Sequence, residues 1–311
     1  MAIASDKPPV ALIAGPTASG KSALALALAE RTGGAIVNAD SAQVYRDLPL
    51  LSAAPSDAER ARADHRLYGV RDAANPCSAA DWAELARAEI TELHEAGRLP
   101  ILVGGTGLYI RTLLDGIAPV PPIDPEVRRG VREAPTEENR RRLEQLDAQA
   151  AARLHPGDRA RTERALEVVL STGRTLKDWQ AARAGGIGHS IALRPLILLP
   201  PREWLYGRCD ERFASMVATG AVSEVEALLA RRLDPSLPAM RAIGVPELSR
   251  YLRGELSLGA AINAGQQATR NYAKRQYTWF AHQPPQAWPR LRDALDGDGM
   301  AAALELLGAS A

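Results

Sequence analysis

The eight residues Gly15-Pro16-Thr17-Ala18-Ser19-Gly20-Lys21-Ser22 constrain this chain more than any other stretch. They fit the spacing G-x-x-x-x-G-K-[ST] and lie between an apolar run, Val10–Ala14, and a helical pattern, Lys21–Arg31. A strand that turns through glycines straight into a helix aims several backbone N–H groups at one point, and the helix N-terminus adds partial positive charge. Such a loop cradles phosphate groups, with Lys21 neutralising oxygens and the Ser22 hydroxyl placed to ligate Mg2+. A glycine-rich turn that binds nothing would share the pattern, but lysine usage argues against it. Only four of the 38 basic residues are lysine: Lys7, Lys21, Lys177 and Lys274. In a chain that otherwise uses arginine, a lysine at the motif position is there for its compact ammonium.

The rest of the first third alternates strand and helix. Ala35–Ala39 predicts a second strand, Ala79–Ala96 a helix capped by Ser78 and ended by Gly97, and Ile101–Val103 a third strand closed by Gly104-Gly105. Strands separated by helices imply right-handed crossovers and a parallel sheet. From about residue 116 to 190 the sequence turns arginine- and glutamate-rich with no convincing strand, which predicts a helical insertion. Ala192–Leu199 returns to the sheet, with Pro195 better suited to an edge, and helices follow at Pro201–Thr219, Val222–Arg232, Val245–Leu252 and Leu258–His282. The expected fold is therefore α/β: a parallel sheet of the P-loop NTPase type flanked by helices (residues 1–115 and 191–290), with an all-helical insertion domain (116–190) and a C-terminal tail (291–311).

Charge is unevenly laid out. Residues 1–119 hold 11 basic and 14 acidic side chains, residues 191–290 hold 13 and 8, and the last 21 residues carry −3, as a solvated tail would. Two distant cysteines, Cys77 and Cys209, exclude a disulfide framework and a thiolate zinc site. The N-terminus lacks the shape of a leader and no apolar run approaches membrane-span length, so a cytoplasmic protein without a membrane partner is expected, as a monomer.

Two further motifs stand where α/β proteins bind ligands, at the ends of strands. Asp40-Ser41-Ala42-Gln43 follows the second strand, and Asp40 can serve there as a general base, a magnesium contact or a simple cap. Gly104-Gly105-Thr106-Gly107-Leu108-Tyr109 follows the third, where a P-loop NTPase would hold magnesium with an acid. Thr106 can instead meet a phosphate oxygen, or cap the next helix.

The succession GPTASGKS, DSAQVYR and LVGGTGLY resembles the tRNA dimethylallyltransferase (tRNA isopentenylpyrophosphate transferase) family. Asp124–Arg128, Arg164–Val168, Arg241–Gly244 and Ala273–Phe280 (AKRQYTWF) agree, in order, from about residue 10 to 288. The resemblance implies transfer of a dimethylallyl group from its diphosphate to N6 of the adenosine just 3′ of the anticodon, in tRNAs that read codons starting with U. It implies that Gly15, Pro16, Thr17, Ala18, Ser19, Gly20, Lys21 and Ser22 hold the diphosphate with Mg2+ at Ser22. Arg208 and Arg212, four apart on one helix face, would complete the charge clamp. Asp40 would bind the N6 amine and accept its proton, and Thr106 would contact the bridging oxygen of the leaving group. The partner would be the tRNA anticodon stem-loop, gripped by Asp40, Ser41, Ala42, Gln43 and Thr106; by Arg128, Ala160, Arg161, Thr162, Glu163 and Arg164 of the insertion; by Arg241, Ala242, Ile243 and Gly244; and by Lys274, Arg275, Gln276, Tyr277, Thr278, Trp279, Phe280 and Ala281. That last segment mixes cations with stacking rings, and equally fits an amphipathic helix with its aromatics in the core.

The chain departs from the family in Asp47–Pro55 and Asp64–Leu67, which lack an expected lysine and one histidine, in Val245-Pro246 where Tyr-Arg is common, and in His282. A P-loop small-molecule or nucleoside kinase, which would bind ATP, is the nearest alternative. A transferase acting on free adenine nucleotides would lack the Lys274–Phe280 segment, and a non-catalytic RNA binder would have no use for Lys21, Ser22, Asp40 and Thr106 together.

Overall fold

The computed structural model describes residues 7–295 and 297–309; the expectation about a leader falls largely on residues 1–6, outside them. Strands β1 (Pro9–Ala14), β2 (Ala35–Asn38), β3 (Asp64–Arg66), β4 (Pro100–Gly104), β5 (Ala192–Leu198) and β6 (Arg290–Leu291) form one sheet. Their order is β3-β2-β4-β1-β5-β6, and every neighbouring pair runs parallel. The sheet is flanked by helices, the architecture of a P-loop protein. β1 and β4 are apolar runs because helices bury both faces of a parallel sheet, leaving no solvent side for alternation.

β3 and β6 escape the sequence reading for one reason. Both sit at sheet edges, where Asp64-His65-Arg66 stays half-exposed and two residues suffice for β6. Pro195 confirms its own constraint. Along β5 the Ile197 and Leu199 N–H groups donate towards β6, to Pro289 and Leu291. Strand period 2 points the Pro195 nitrogen the same way. β6 pairs only from Ile197 onward, so at Pro195 no ladder bond needs the missing donor.

The chain divides into two compact units, residues 1–113 with 188–311, and residues 114–187. The second consists of helices Pro125–Glu133, Thr136–Leu146, Ala148–Arg153, Arg159–Thr172 and Leu176–Ala181, plus one antiparallel bridge between Ile117 and Ala184. Val131, Leu143, Leu166 and Val169 form its own small core. Among the described residues no single helix is long and apolar enough to cross a membrane.

The end of the chain corrects the sequence reading. The described residues after Arg290 are not a solvated tail: helix Gly297–Leu306 and the residues just after it bring Ala303, Leu304, Leu307 and Ala309 into the main core with Leu24 and Leu28 of the first helix. Met300, Ala303, Leu304 and Leu307 have the i, i+3, i+4, i+7 spacing of a buried face, a signal that the charge count outweighed. Leu295, just before this helix, packs on Gly20, where an added Cβ would lie 2.9 Å from its Cδ1. The segment therefore buttresses the phosphate loop. Leu307→Ala is expected to destabilise the protein by about 2–4 kcal/mol in urea unfolding, whereas a solvated tail would leave the midpoint unmoved.

Candidate active site

The loop Gly15–Ser22 is shaped by close approaches. A Cβ at Gly15 would sit 2.5 Å from the Leu198 carbonyl oxygen of β5, so only glycine fits. Ala18 takes a left-handed conformation, φ 63°, at a cost of about 1–2 kcal/mol. Gly20, φ 95°, precedes helix Lys21–Thr32, which has no side-chain cap. The first N–H groups of that helix are thus left for an anion.

Three cations converge on this loop. Lys21 Nζ donates to the Pro16 carbonyl at 2.6 Å, Arg208 Nε to the Ala18 carbonyl at 3.2 Å, and Arg212 Nη2 to Thr17 Oγ1. Arg208 also stacks 4.8 Å over Trp204. Burial lowers the Lys21 ammonium from 10.5 to about 8; Asp40 opposes this and Arg212 adds to it. Burial likewise lowers Arg212, with Cys209 and Asp40 opposing.

Residues 17–22 of the loop and the two arginines line a cavity of about 560 Å3 together with Asp40, Gln43, Glu59 and Glu211. A second cavity of about 300 Å3 shares Thr17, Asp40, Ser52 and Arg212 with it. This second space adds Tyr45, Phe213, Met216, Tyr272, Arg241 and Arg275. Asp40 therefore stands on a wall common to the cavity beside the phosphate loop and a part-aromatic one.

Asp40 is held from behind. The buried Asn38, last residue of β2, accepts the Asp40 N–H at 2.8 Å and donates Nδ2 to the carbonyls of Asp40 and Leu67 at 3.0 and 3.1 Å. Trp82 Nε1 donates to the Asn38 carbonyl at 2.8 Å, and Asp40 Oδ1 accepts the Ala42 N–H at 3.0 Å. One carboxylate oxygen is thereby oriented. Thr106 Oγ1 accepts the Ser41 N–H at 2.9 Å and donates to Ser41 Oγ at 3.2 Å, joining the loops that leave β2 and β4. Tyr272, which burial pushes above the ordinary phenol range, lines the second cavity. Gly104 cannot carry a side chain, since a Cβ would lie 2.0 Å from the Ala39 carbonyl.

Asp47–Pro55, atypical in sequence, is nonetheless fixed. Glu224, whose carboxyl burial raises, accepts the Leu50 and Leu51 N–H groups at 2.7 and 2.9 Å, and Gln43 Nε2 donates to the Ser52 and Ala53 carbonyls at 3.1 and 2.7 Å. Asn38, Tyr272 and Glu224 were not singled out by sequence; an asparagine closing the otherwise apolar AIVN strand is the one signal that pointed to any of them.

Several expected RNA-facing residues turn inward. Gln276 and Phe280 are 5% and 1% exposed, because both fall on the buried stripe of helix Leu258–His282. Trp279 lies on Gly107, where a Cβ would meet its ring at 2.5 Å, and the Tyr277 hydroxyl donates to Leu199 at 3.4 Å. Gly244 is buried beneath Leu51, and Thr162 is buried within the helical unit. Lys274, Arg275, Thr278 and Arg241 are exposed, with Ala242, Ile243 and Ala281 half-buried. In the helical unit Arg128, Ala160, Arg161 and Arg164 are exposed, while Glu163 pairs with Arg159.

The Lys21 pKa sets a pH signature. Its protonated form binds an anion, so the affinity advantage over Lys21→Met for inorganic pyrophosphate should be constant below pH about 8. Above it the advantage should shrink about tenfold per unit, as titration calorimetry would show.

The chain resembles known proteins in both sequence and fold. Residues 43–283 match the family model described as IPP transferase. The tRNA dimethylallyltransferase of Erythrobacter litoralis is 61% identical over 291 residues, covering 92% of this chain and 92% of its own. That of Sphingopyxis alaskensis is 59% identical over 290 residues, covering 93% and 95%. Among solved structures, the full-length tRNA isopentenylpyrophosphate transferase of Bacillus halodurans matches with TM-score 0.70 at 31% identity, over 97% of this chain and 95% of its own. A eukaryotic dimethylallyltransferase solved acting on tRNA matches with TM-score 0.74 at 26% identity, over 88% and 69%. Family model, sequence identity and fold agree over most of the length: the chain belongs to the IPP transferase family, that of the tRNA dimethylallyltransferases.

Proposed function

We propose that this enzyme transfers the dimethylallyl group of dimethylallyl diphosphate to N6 of the adenosine 3′ of the anticodon in tRNAs reading U-starting codons, acting as a cytoplasmic monomer. Asp40 carries this reading, because it lines both the cationic cavity and the neighbouring aromatic one. The diphosphate sits on the backbone amides of the Ala18–Ser22 nest among Lys21, Arg208 and Arg212, which take up the charge that develops on the leaving group. The adenine enters the second cavity after leaving its stack, at small cost for a loop nucleotide. Its N6 lone pair bonds to the allylic carbon as the carbon–oxygen bond breaks, the electron pair leaves with the diphosphate, and Asp40 accepts the N6 proton. Thr106, tied to Ser41 beside Asp40 and lining neither cavity, would contact the bridging oxygen.

The donor set also fits Mg2+. The exposed Ser22 hydroxyl and the carboxylates of Asp40 and Glu59 line the diphosphate cavity, and among the described residues no three His, Cys, Asp or Glu side chains form a cage of their own. A hard cation held by few protein oxygens and completed by substrate phosphate is the usual magnesium arrangement. When bound it would supply further neutralisation of the diphosphate at Ser22. For RNA, the exposed cations are Lys274, Arg275 and Arg241, and, in the helical unit, Arg128, Arg161 and Arg164. The kinase alternative is disfavoured by Gly104, which leaves no space at the end of β4 for a metal-holding acid.

Incubation with dimethylallyl diphosphate, magnesium and unmodified tRNA should add the mass of one dimethylallyl group to the adenosine beside the anticodon. ATP consumption with a small acceptor instead would establish the kinase. Asp40→Asn keeps the oxygen that accepts the Ala42 N–H but not the base, so kcat should fall about 10²–10⁴-fold with RNA affinity retained. Equal losses in both would sink the assignment of the base.

A further inference from the structure

Gln276 spans the phosphate loop and the Gly104–Thr106 turn. Its Oε1 accepts the Thr17 N–H at 2.8 Å and its Nε2 donates to the Gly105 carbonyl at 2.8 Å. It is 5% exposed, so neither bond competes with bulk water, and loss of either partner would strand a buried polar group. The contact is close enough to dictate sequence elsewhere: a Cβ on Gly105 would lie 2.2 Å from Nε2. Thr17 is held from its other side by Arg212, whose guanidinium donates to Thr17 Oγ1. The second residue after Gly15 is thus clamped through backbone and side chain at once.

We infer that Gln276 is a positioning residue for the diphosphate site: it fixes the phosphate loop against the Gly104–Thr106 turn and withholds the Thr17 N–H from the anion. Thr17 and Gly105 each flank a group that the reaction needs, the anion nest of Ala18–Ser22 on one side and Thr106 on the other. With both bonds made, nest and Thr106 keep one spacing as the carbon–oxygen bond breaks, which is when misplacement is most costly. Gln276 also sits on the same helix as Tyr272 and Arg275, both lining the second cavity, so the brace reaches the diphosphate loop from the nucleobase side. This inference rests on the diphosphate reading of the loop.

The test uses the full chain and inorganic pyrophosphate with magnesium. Gln276→Met keeps the length and removes both hydrogen bonds. Its pyrophosphate Kd should rise about tenfold, with a parallel loss in kcat/KM for dimethylallyl diphosphate and a stem-loop RNA Kd within about twofold of wild type. Unchanged pyrophosphate affinity, or an equal loss of RNA affinity, overturns the inference. Gln276→Glu supplies the second readout and decides the matter if the methionine variant does not fold. A protonated glutamic acid has the acceptor and donor of glutamine, whereas the carboxylate has no donor for the Gly105 carbonyl. The charged groups of the surrounding elements, Lys21, Asp40, Arg208, Arg212, Asp210, Arg270, Lys274 and Arg275, are common to both proteins and cancel in the variant-to-wild-type ratio of pyrophosphate affinities. That ratio should recover towards one as pH falls through the range of a buried carboxyl; a flat ratio overturns the proposal. Wild type that binds pyrophosphate but transfers no dimethylallyl group would defeat the reaction while leaving this assignment intact.

Discussion

Cations held close together beneath a glycine loop are the constraint from which the rest of the molecule follows. Lys21 and Arg208 donate to carbonyls of the loop itself, and Arg212 to a hydroxyl on it. A lysine whose pKa falls from 10.5 to about 8 is charged at neutral pH at a cost of about 3 kcal/mol to the fold. That cost is present below pH 8 and shrinks as the pH rises towards 10.5, because there the unfolded chain binds the extra proton. On the proposed reading, a diphosphate would spread negative charge over the same three groups and offset it, so the loop would store in the fold part of the preference for a departing anion.

Such crowding persists only if the surroundings prevent the loop from relaxing. Remote parts of the chain supply the restraint. Leu198 of β5 closes on Gly15, Leu295 from the C-terminal segment on Gly20, and Gln276 from the long helix on Thr17. On the other side, Asn38 fixes Asp40, while Glu224 and Gln43 hold the segment that lines both cavities near Leu51 and Ser52. Family-typical sequence is absent from that segment, yet its backbone donors and acceptors are met, so its wall survives a change of side chains.

What the sequence revealed was what local pattern encodes. The buried strands β1, β2 and β4, the capped helix after Ser78 and the phosphate loop each announce themselves within about ten residues. Contacts across the sheet do not. Gln276 read as an RNA contact because it lies among Lys274, Arg275 and Tyr277, yet its place is set by a longer period. Ala261, Gly265, Thr269, Ala273, Gln276 and Phe280 are the buried positions of one helix, spaced three or four apart. A glutamine on that stripe needs internal partners, and the stripe was legible; which backbone groups would serve was not. The C-terminal helix went unseen for the opposite reason, its apolar period being present but discounted in favour of net charge. Charge counts report solvation, and a helix needs only one apolar face to enter a core.

The Gly-Gly pair after β4 links these points. β2 and β4 converge so tightly at their ends that Gly104 meets the Ala39 carbonyl, and no side chain fits there. An acid for metal binding is thereby excluded from the position where a nucleotide hydrolase would keep it. The site's central carboxylate instead leaves β2, one residue beyond Ala39, on the wall shared with the aromatic cavity. Close packing of two strands thus puts the carboxylate that both cavities share at the end of β2 rather than of β4. On the proposed reading, that placement would suit a phosphate-loop fold to the departure of a whole diphosphate.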